Sequence, residues 1–408
     1  MSEKARQGLR RKLGLYFLVA VMMFILTYLA FYVQATKPDG SDTTVHMATA
    51  LSFDRVLQES HCGWHLICWL FYVCLPITIE EAAAASTAAF NAVTALLILW
   101  MGDAYLCRNR RGKDWPWAVA VSAAVSMLVG PLYLRFYNPR YYLGQGTPNT
   151  WHNPTTTAVR PFMLLITVLT VGYWDCPEDA RVTVMGKSMK KTTVYELALG
   201  GLLLYSTITK PSYLMIYLPV CGVRALVLLA RGRGKGFWRL VARHLYFVPS
   251  LCVLAYQYLS IYFTPSAEED SSQVVIALFR VARMHAPSVL ISLFLRMAFP
   301  FLVIVIWRKV IFRERYFPLI FGQYLTGLFI SWTFAETGRR ATHGNFGWGN
   351  VLGSSFLWIF CLFFFVKQFL EEKEQIAKSR SLRVKYGALF LLLAWHLAGG
   401  ICYYLKLV

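Results

Sequence analysis

Apolar runs of about 20 residues, the length a helix needs to cross a bilayer, follow one another along this chain from its first residues to its last. The first, residues 13–33, holds no charged side chain. A soluble fold cannot accommodate so many runs, because too little polar sequence remains to cover them: 57% of the 408 residues are hydrophobic and 15% are charged. The expected fold class is all-α, a polytopic transmembrane helical bundle forming one domain over residues 1–408. The first run is longer than a signal-peptide core, and no small-residue cleavage site follows it, so it reads as a retained span.

The formal net charge of +20 raises the question of nucleic acid, and its distribution answers it. Lys and Arg fall in short clusters between apolar runs, which is the pattern that sets orientation in a membrane. Nucleic acid is excluded as a partner, and membrane lipids with anionic headgroups are the expected one. The nine cysteines form no CxxC pair. Cys62, Cys68 and Cys74, six apart, read as small apolar packers.

Lys4, Arg6, Arg10, Arg11 and Lys12 put residues 1–12 in the cytoplasm. Arg108, Arg110, Arg111 and Lys113 form the next basic cluster and belong on the same side. The chain between them and the first span therefore crosses an odd number of times, yet it contains two apolar runs, 62–77 and 82–101. The first of these is shorter, begins among His61, Gly63 and His65, and ends at Pro76. It is assigned to the outer interface, behind an amphipathic helix over about 43–57, which makes 34–80 an outer loop with two juxtamembrane helices. Further spans are expected at 82–102, 115–134, 155–174, 193–208, 212–230, 244–263, 286–306, 316–334, 348–366 and 386–403, about eleven in all with the first. Inner loops then hold the basic residues within 181–191, 231–243, 308–315 and 367–385. The expected location is the plasma membrane.

Polar residues at membrane depth are costly, so their segregation carries information. Asp39, Asp42, His46 and Asp54 follow the first span, with His61 and His65 after them. The outer loops 135–155 (RFYNPRYYLGQGTPNTWHNPT) and 335–349 (AETGRRATHGNFGWG) and Lys210 in TITKPS lie on that side as well. Asp42 and His46, four apart, share a face of a helix that begins at 41 or 42. That carboxylate is a general base, a metal ligand or a helix cap. Trp151, His152 and Asn153 suit either a sugar-binding surface or an interfacial anchor. Lys210 either snorkels or meets a lipid phosphate. Arg339 and Arg340, with His343, form a cationic group against the orientation rule. They read as a phosphate or pyrophosphate site with Glu336 orienting an arginine, or as an ion pair to Glu336. Arg296 stands alone in the apolar run ISLFLRMAFPF and is assigned no role.

The order of these features resembles the GT-C class of membrane glycosyltransferases: a first span, an outer acidic residue at Asp42 with His46, a second juxtamembrane helix GWHLICWLFYVCLP, and a span ending in CRNRR. The segments YYLGQGTPNTWHNPT, TITKPSYLM and ETGRRATHGNFGWG are also similar to those of uncharacterised multi-pass bacterial proteins akin to polysaccharide-assembly enzymes. The resemblance implies transfer of a sugar from a polyprenyl-phosphate carrier to a glycan or lipid acceptor on the outer face. Asp42 would be the general base oriented by His46, and Arg339, Arg340 and Lys210 would hold the leaving phosphate. His152 and Asn153, with His65, Glu336 and His343, would line the substrate site. The paired-acid motif of many members is not found, which leaves a divalent metal ion open as a cofactor. Two other readings stay open: a polysaccharide polymerase or ligase of O-antigen type, and a lipid-linked glycan transporter or flippase. The last predicts inverted repeats and helices broken at the midplane, and the sequence displays no such symmetry.

Overall fold

A computed structural model describes residues 3–37, 41–107, 115–139, 142, 146–263 and 272–408. Asp39 and the cluster of Arg108, Arg110, Arg111 and Lys113 lie outside the described residues. The chain is mostly helical, and among the described residues eight helical stretches are long and apolar enough to cross a membrane. They are α1 (Glu3–Thr36), α5 (Ile79–Cys107), α7 (Pro154–Trp174), α9 (Ser212–Arg231), the stretch Phe237–Tyr262, α13 (Val289–Ile306), α16 (Trp348–Lys378) and α17 (Arg380–Leu407). Phe237–Tyr262 comprises α10 (Phe237–Ala242), a 3-10 turn and α11 (Val248–Tyr262), and the short helices α12 (Arg280–His285) and α14 (Arg308–Ile311) flank α13. The chain is thus built as a membrane protein. Its centre is α16, whose apolar window is 89% buried, against 22% for Phe237–Tyr262 at the periphery.

Three more of the expected spans hold helices outside that set: α6 (Trp115–Leu128), α8 (Lys191–Thr209) and α15 (Phe317–Thr333). The expected span 115–134 ends early because Pro131 has no amide hydrogen and disfavours helical geometry at Gly130. Residues 129–134 continue without helix, and neighbouring helices satisfy their backbone. Gly130 N donates to the His396 carbonyl at 3.0 Å, and Leu132 N donates to the Leu295 carbonyl at 2.8 Å. His396 Nδ1 donates to the Gly130 carbonyl at 2.8 Å. Irregular chain at membrane depth is tolerated when buried in protein this way. It fits against α17 only where that helix has no side chain, since a Cβ on Gly400 would lie 1.8 Å from Leu128 O. Gly400→Ala is expected to destabilise the protein by about 1–3 kcal/mol. The readout is a lower unfolding midpoint and a smaller monodisperse fraction in detergent. Gly387→Ala, where a Cβ meets nothing within 4 Å, is expected to lower neither.

Two expectations for 34–80 are refined. The single amphipathic helix is two, α2 (Asp42–Thr49) and α3 (Phe53–Gln58), because Ser41 and Ser52 each cap a new start. α4 (Gly63–Cys74) has 12 residues, about 18 Å, too short for a ~30 Å hydrocarbon core. It lies on the first turns of α5, where Trp64 and Cys68 pack against Ala82 and Ala83 and Trp64 Nε1 donates to Thr87 Oγ1 at 3.1 Å.

The expected loop 367–385 is also helical. α16 runs to Lys378, and Ser379 alone interrupts before α17, its Oγ accepting from Leu382 N. Lys367–Glu314 (2.8 Å) and Lys385–Glu372 (3.2 Å) tie these extensions down. Two small ribbons depart from the all-helical expectation. β1 (Arg181–Val184) and β2 (Lys187–Lys190) turn at Met185 and Gly186, both at positive φ, as a two-residue hairpin requires. β3 (Val274–Ile276) pairs antiparallel with β4 (Phe334–Glu336), which continues directly from α15 and carries Glu336.

Candidate functional site

A cavity of about 310 Å³ opens at the end of the bundle where α1 finishes. Asp42 reaches it from the first turn of α2, His152 from the loop before α7, and Arg296 from α13. Glu336 comes from β4, and His343 and Trp348 from the chain leading into α16.

Asp42 is not the cap of its helix. Ser41 Oγ accepts from Thr43 N at 3.1 Å, which leaves the Asp42 carboxylate for a tertiary contact: Asn153 Nδ2 donates to Asp42 Oδ2 at 2.7 Å. Asn153 is the N-cap of α7, followed by Pro154 at its first position. Its Oδ1 accepts from Thr156 N at 2.9 Å and from Lys210 Nζ at 3.1 Å. One buried amide therefore joins a carboxylate to an ammonium and fixes both.

Lys210 ends α8. Its Nζ also donates to Thr155 Oγ1 at 3.1 Å and sits 4.2 Å above the Trp348 ring. Burial lowers its pKa from 10.5 to about 7, with Asp42 pulling the other way. Lys210 lies beside the cavity and does not line it.

His152 Nδ1 is hydrogen bonded to the Tyr403 hydroxyl. Its ring stacks on Tyr142 at 4.1 Å and lies 5.8 Å from Trp348. Burial lowers its pKa to about 4, so the ring is neutral at physiological pH.

His46 does not orient Asp42. Its Nδ1 lies 3.0 Å from His65 Nε2, and His65 Nδ1 lies 2.9 Å from the His61 carbonyl. A carbonyl only accepts, so His65 carries its proton on Nδ1 and takes a hydrogen bond from His46. His65 is fully buried, does not line the cavity and contacts His46.

Burial also lowers the pKa of His46, of His65, and of His61, the last to about 4. Between about pH 4 and 6.5 the unfolded chain therefore binds more protons than the folded one, and stability falls as pH drops through that window. The unfolding midpoint in detergent is expected to decline from pH 7 to pH 5, and His61→Gln to flatten part of the decline.

Glu336 is buried, and both of its oxygens accept from neutral donors: Tyr262 OH at 2.7 Å and Asn345 Nδ2 at 2.7 Å. Neither an ion pair to Arg339 or Arg340 nor a hydrogen bond orienting one of them, the two readings of Glu336, is among these bonds. Both arginines sit on a 3-10 turn just beyond β4 and do not line the cavity; His343, although exposed, does.

Sequence reasoning left Arg296 without a role, and here it is the arginine among the described residues that line the cavity. It is 6% exposed. Nη2 donates to Asn350 Oδ1 at 3.1 Å, while Nε has no hydrogen-bond partner among the described residues. No ion pair to it occurs among those residues either. Gly146 passes so close that a Cβ there would stand 2.5 Å from Nη1, and its φ of 70° is one that favours glycine. The signal was present in the sequence as a lone arginine in an apolar run. What it lacked was a direction.

Among the described residues, no group of three or more His, Cys, Asp or Glu side chains is arranged to hold a metal ion. No protein-family model matches this chain, and no curated protein matches it.

Proposed function

We propose that this protein is a GT-C-type membrane glycosyltransferase that moves a sugar from a polyprenyl-phosphate donor to a glycan or lipid acceptor on the outer face of the plasma membrane. One observation carries the reading: Asp42, a carboxylate, and Arg296, a buried guanidinium with no ion pair among the described residues, line a single cavity. In the reaction the acceptor oxygen bonds to the anomeric carbon, the carbon–phosphate oxygen bond breaks, and the acceptor proton passes to Asp42. Asn153 holds one oxygen of Asp42 and leaves the other for that proton. Arg296 stabilises the charge that develops on the leaving phosphate. It takes the role expected of Arg339 and Arg340, which lie off the lining. His152 and Trp348 offer ring faces to the sugar, and Lys210 positions Asn153 and Trp348.

Helices α6, α8 and α15 complete about eleven crossings under this reading. The basic N-terminus and basic inner connections then put the Asp42 end outside. A polymerase or ligase would have two phosphates to neutralise, and a lining with one arginine among the described residues fits a monophosphate better. The buried irregular segment 129–134 favours the flippase as a second reading, since transporters use broken helices.

Mass analysis of lipid-linked glycans in a strain lacking the chain tests these alternatives. Loss of one sugar supports the transferase. Unpolymerised repeat units support a polymerase, and complete glycans held on the inner leaflet support a flippase.

A further inference from the structure

Glu336 is a buried carboxylate to which the transfer reaction gives no task. It is 2% exposed and lines the Asp42 cavity from β4, a strand held by its pairing with β3, where Glu336 stands opposite Val274. Tyr262, the last residue of α11, donates to Oε1, and Asn345 Nδ2 donates to Oε2, each at 2.7 Å. Both donors are neutral, and each oxygen keeps a second lone pair. No ion pair to Glu336 occurs among the described residues. Arg296 lines the same cavity but bonds Asn350. Residues 264–271, TPSAEEDS, between α11 and β3 and outside the described residues, contain no Lys, Arg or His. A carboxylate buried with no cation is costly, so its retention asks for a cation that the chain does not supply.

The walls beside this carboxylate are aromatic. Phe334, two residues before Glu336 on β4 and so on the same face of the strand, lines the cavity together with Trp332 and Phe346. The Phe334 and Phe346 rings lie 5.8 Å apart, and Phe346 follows Asn345, which holds Oε2. Ring faces attract cations through their quadrupole. A hydroxyl would be a third neutral donor to Glu336 and would leave its charge uncompensated, whereas a protonated amine supplies both the hydrogen bond and the charge. With Arg296 ready for a phosphate, the cavity then offers a complement to each sign.

We propose that Glu336 is a specificity-determining residue that receives a protonated amino group of the substrate, an assignment that rests on the reading of this cavity as the transfer site. The amine belongs either to the sugar of the donor or to the headgroup of a lipid acceptor.

The test measures binding, which requires no turnover, with the full chain in mild detergent at neutral pH and native mass spectrometry as the readout. In the donor arm the probes are polyprenyl-phosphate glucosamine, its N-acetyl form and polyprenyl-phosphate glucose. In the acceptor arm they are phosphatidylethanolamine and its N-acetyl derivative. The wild type is expected to retain the amine-bearing probe about tenfold better than the neutral ones, as a hydrogen bond between charged partners gives, and the arm that shows the preference identifies the source of the amine. Glu336→Gln is expected to abolish the preference and to keep the affinity for neutral probes, because Tyr262 and Asn345 can each reverse to meet an amide. Phe346→Leu, which removes a ring and leaves the carboxylate, is expected to weaken the preference about threefold, and it keeps the proposal testable if Glu336→Gln misfolds. Unfolding midpoints report whether each variant is folded. Arg140→Gln, at a position outside the described residues, is expected to change nothing. A wild type with no amine preference in either arm overturns the proposal, and so does a folded Glu336→Gln or Phe346→Leu protein that keeps the full preference. Tighter amine binding by Arg140→Gln also overturns it, since Arg140 would then be the cation of Glu336. Equal binding of all polyprenyl-phosphate sugars and of both acceptor lipids strikes this assignment alone, whereas binding of none of them counts against the transferase reading as well.

Discussion

Asp42→Asn is expected to lower sugar transfer by about 10²–10⁴-fold, the span that one positioned proton acceptor contributes, while leaving the fold intact. The substitution keeps the size and the oxygen that accepts from Asn153 Nδ2, so the link through Asn153 to Lys210 survives. The helix start survives too, because Ser41 makes the cap. What disappears is an oxygen able to take a proton. Transfer rates in liposomes with a defined polyprenyl-phosphate sugar, measured beside the unfolding midpoint, separate the two properties. Unchanged turnover in a folded Asp42→Asn protein would remove Asp42 from the base role.

Arg296→Met is expected to reduce transfer by about 10²–10³-fold, as loss of a preorganised donor does, with the unfolding midpoint unchanged or raised. A buried cation with an unsatisfied Nε and no ion pair among the described residues is unfavourable for folding, and an apolar side chain of similar length relieves that cost. Asn350 Oδ1 loses the arginine but keeps Ser354 Oγ at 3.3 Å. Arg339→Ala and Arg340→Ala, off the lining, are expected to leave transfer near the wild-type rate. A less stable Arg296→Met protein with normal turnover would make Arg296 a packing residue and would return the phosphate site to the Arg339 turn.

The same two residues mark how far the sequence could be read. Asp42 was legible because it follows the first span directly and begins an i, i+4 pair, both local properties. Which arginine lines the cavity was not legible. Arg339 and Arg340 were conspicuous by breaking the orientation rule, whereas Arg296 appeared only as an expense inside an apolar run. Successive helical residues differ by about 100° around the axis, so which side chain enters a cavity depends on how each helix is rotated against its neighbours. No charge count contains that angle. His46 is a similar case: its spacing from Asp42 was read correctly, but a helix face also meets other elements, and His65 from α4 met this one first.

The sequence by itself determined the membrane character, most helix positions, the shortness of α4 and the gathering of polar residues toward one end. These follow from hydropathy, charge and length, which act along the chain. Even the early end of α6 was written in Gly130 and Pro131. Only the tertiary structure decided which of the gathered residues meet. Asn153 joins Asp42 to Lys210 across 111 and 57 residues of sequence, and Arg296 reaches the cavity because Gly146 and Asn350 leave room and a partner for it. Burying an unpaired charge costs several kcal/mol, so a fold retains such a group only where packing from distant elements surrounds it, and that surrounding is a property of three dimensions.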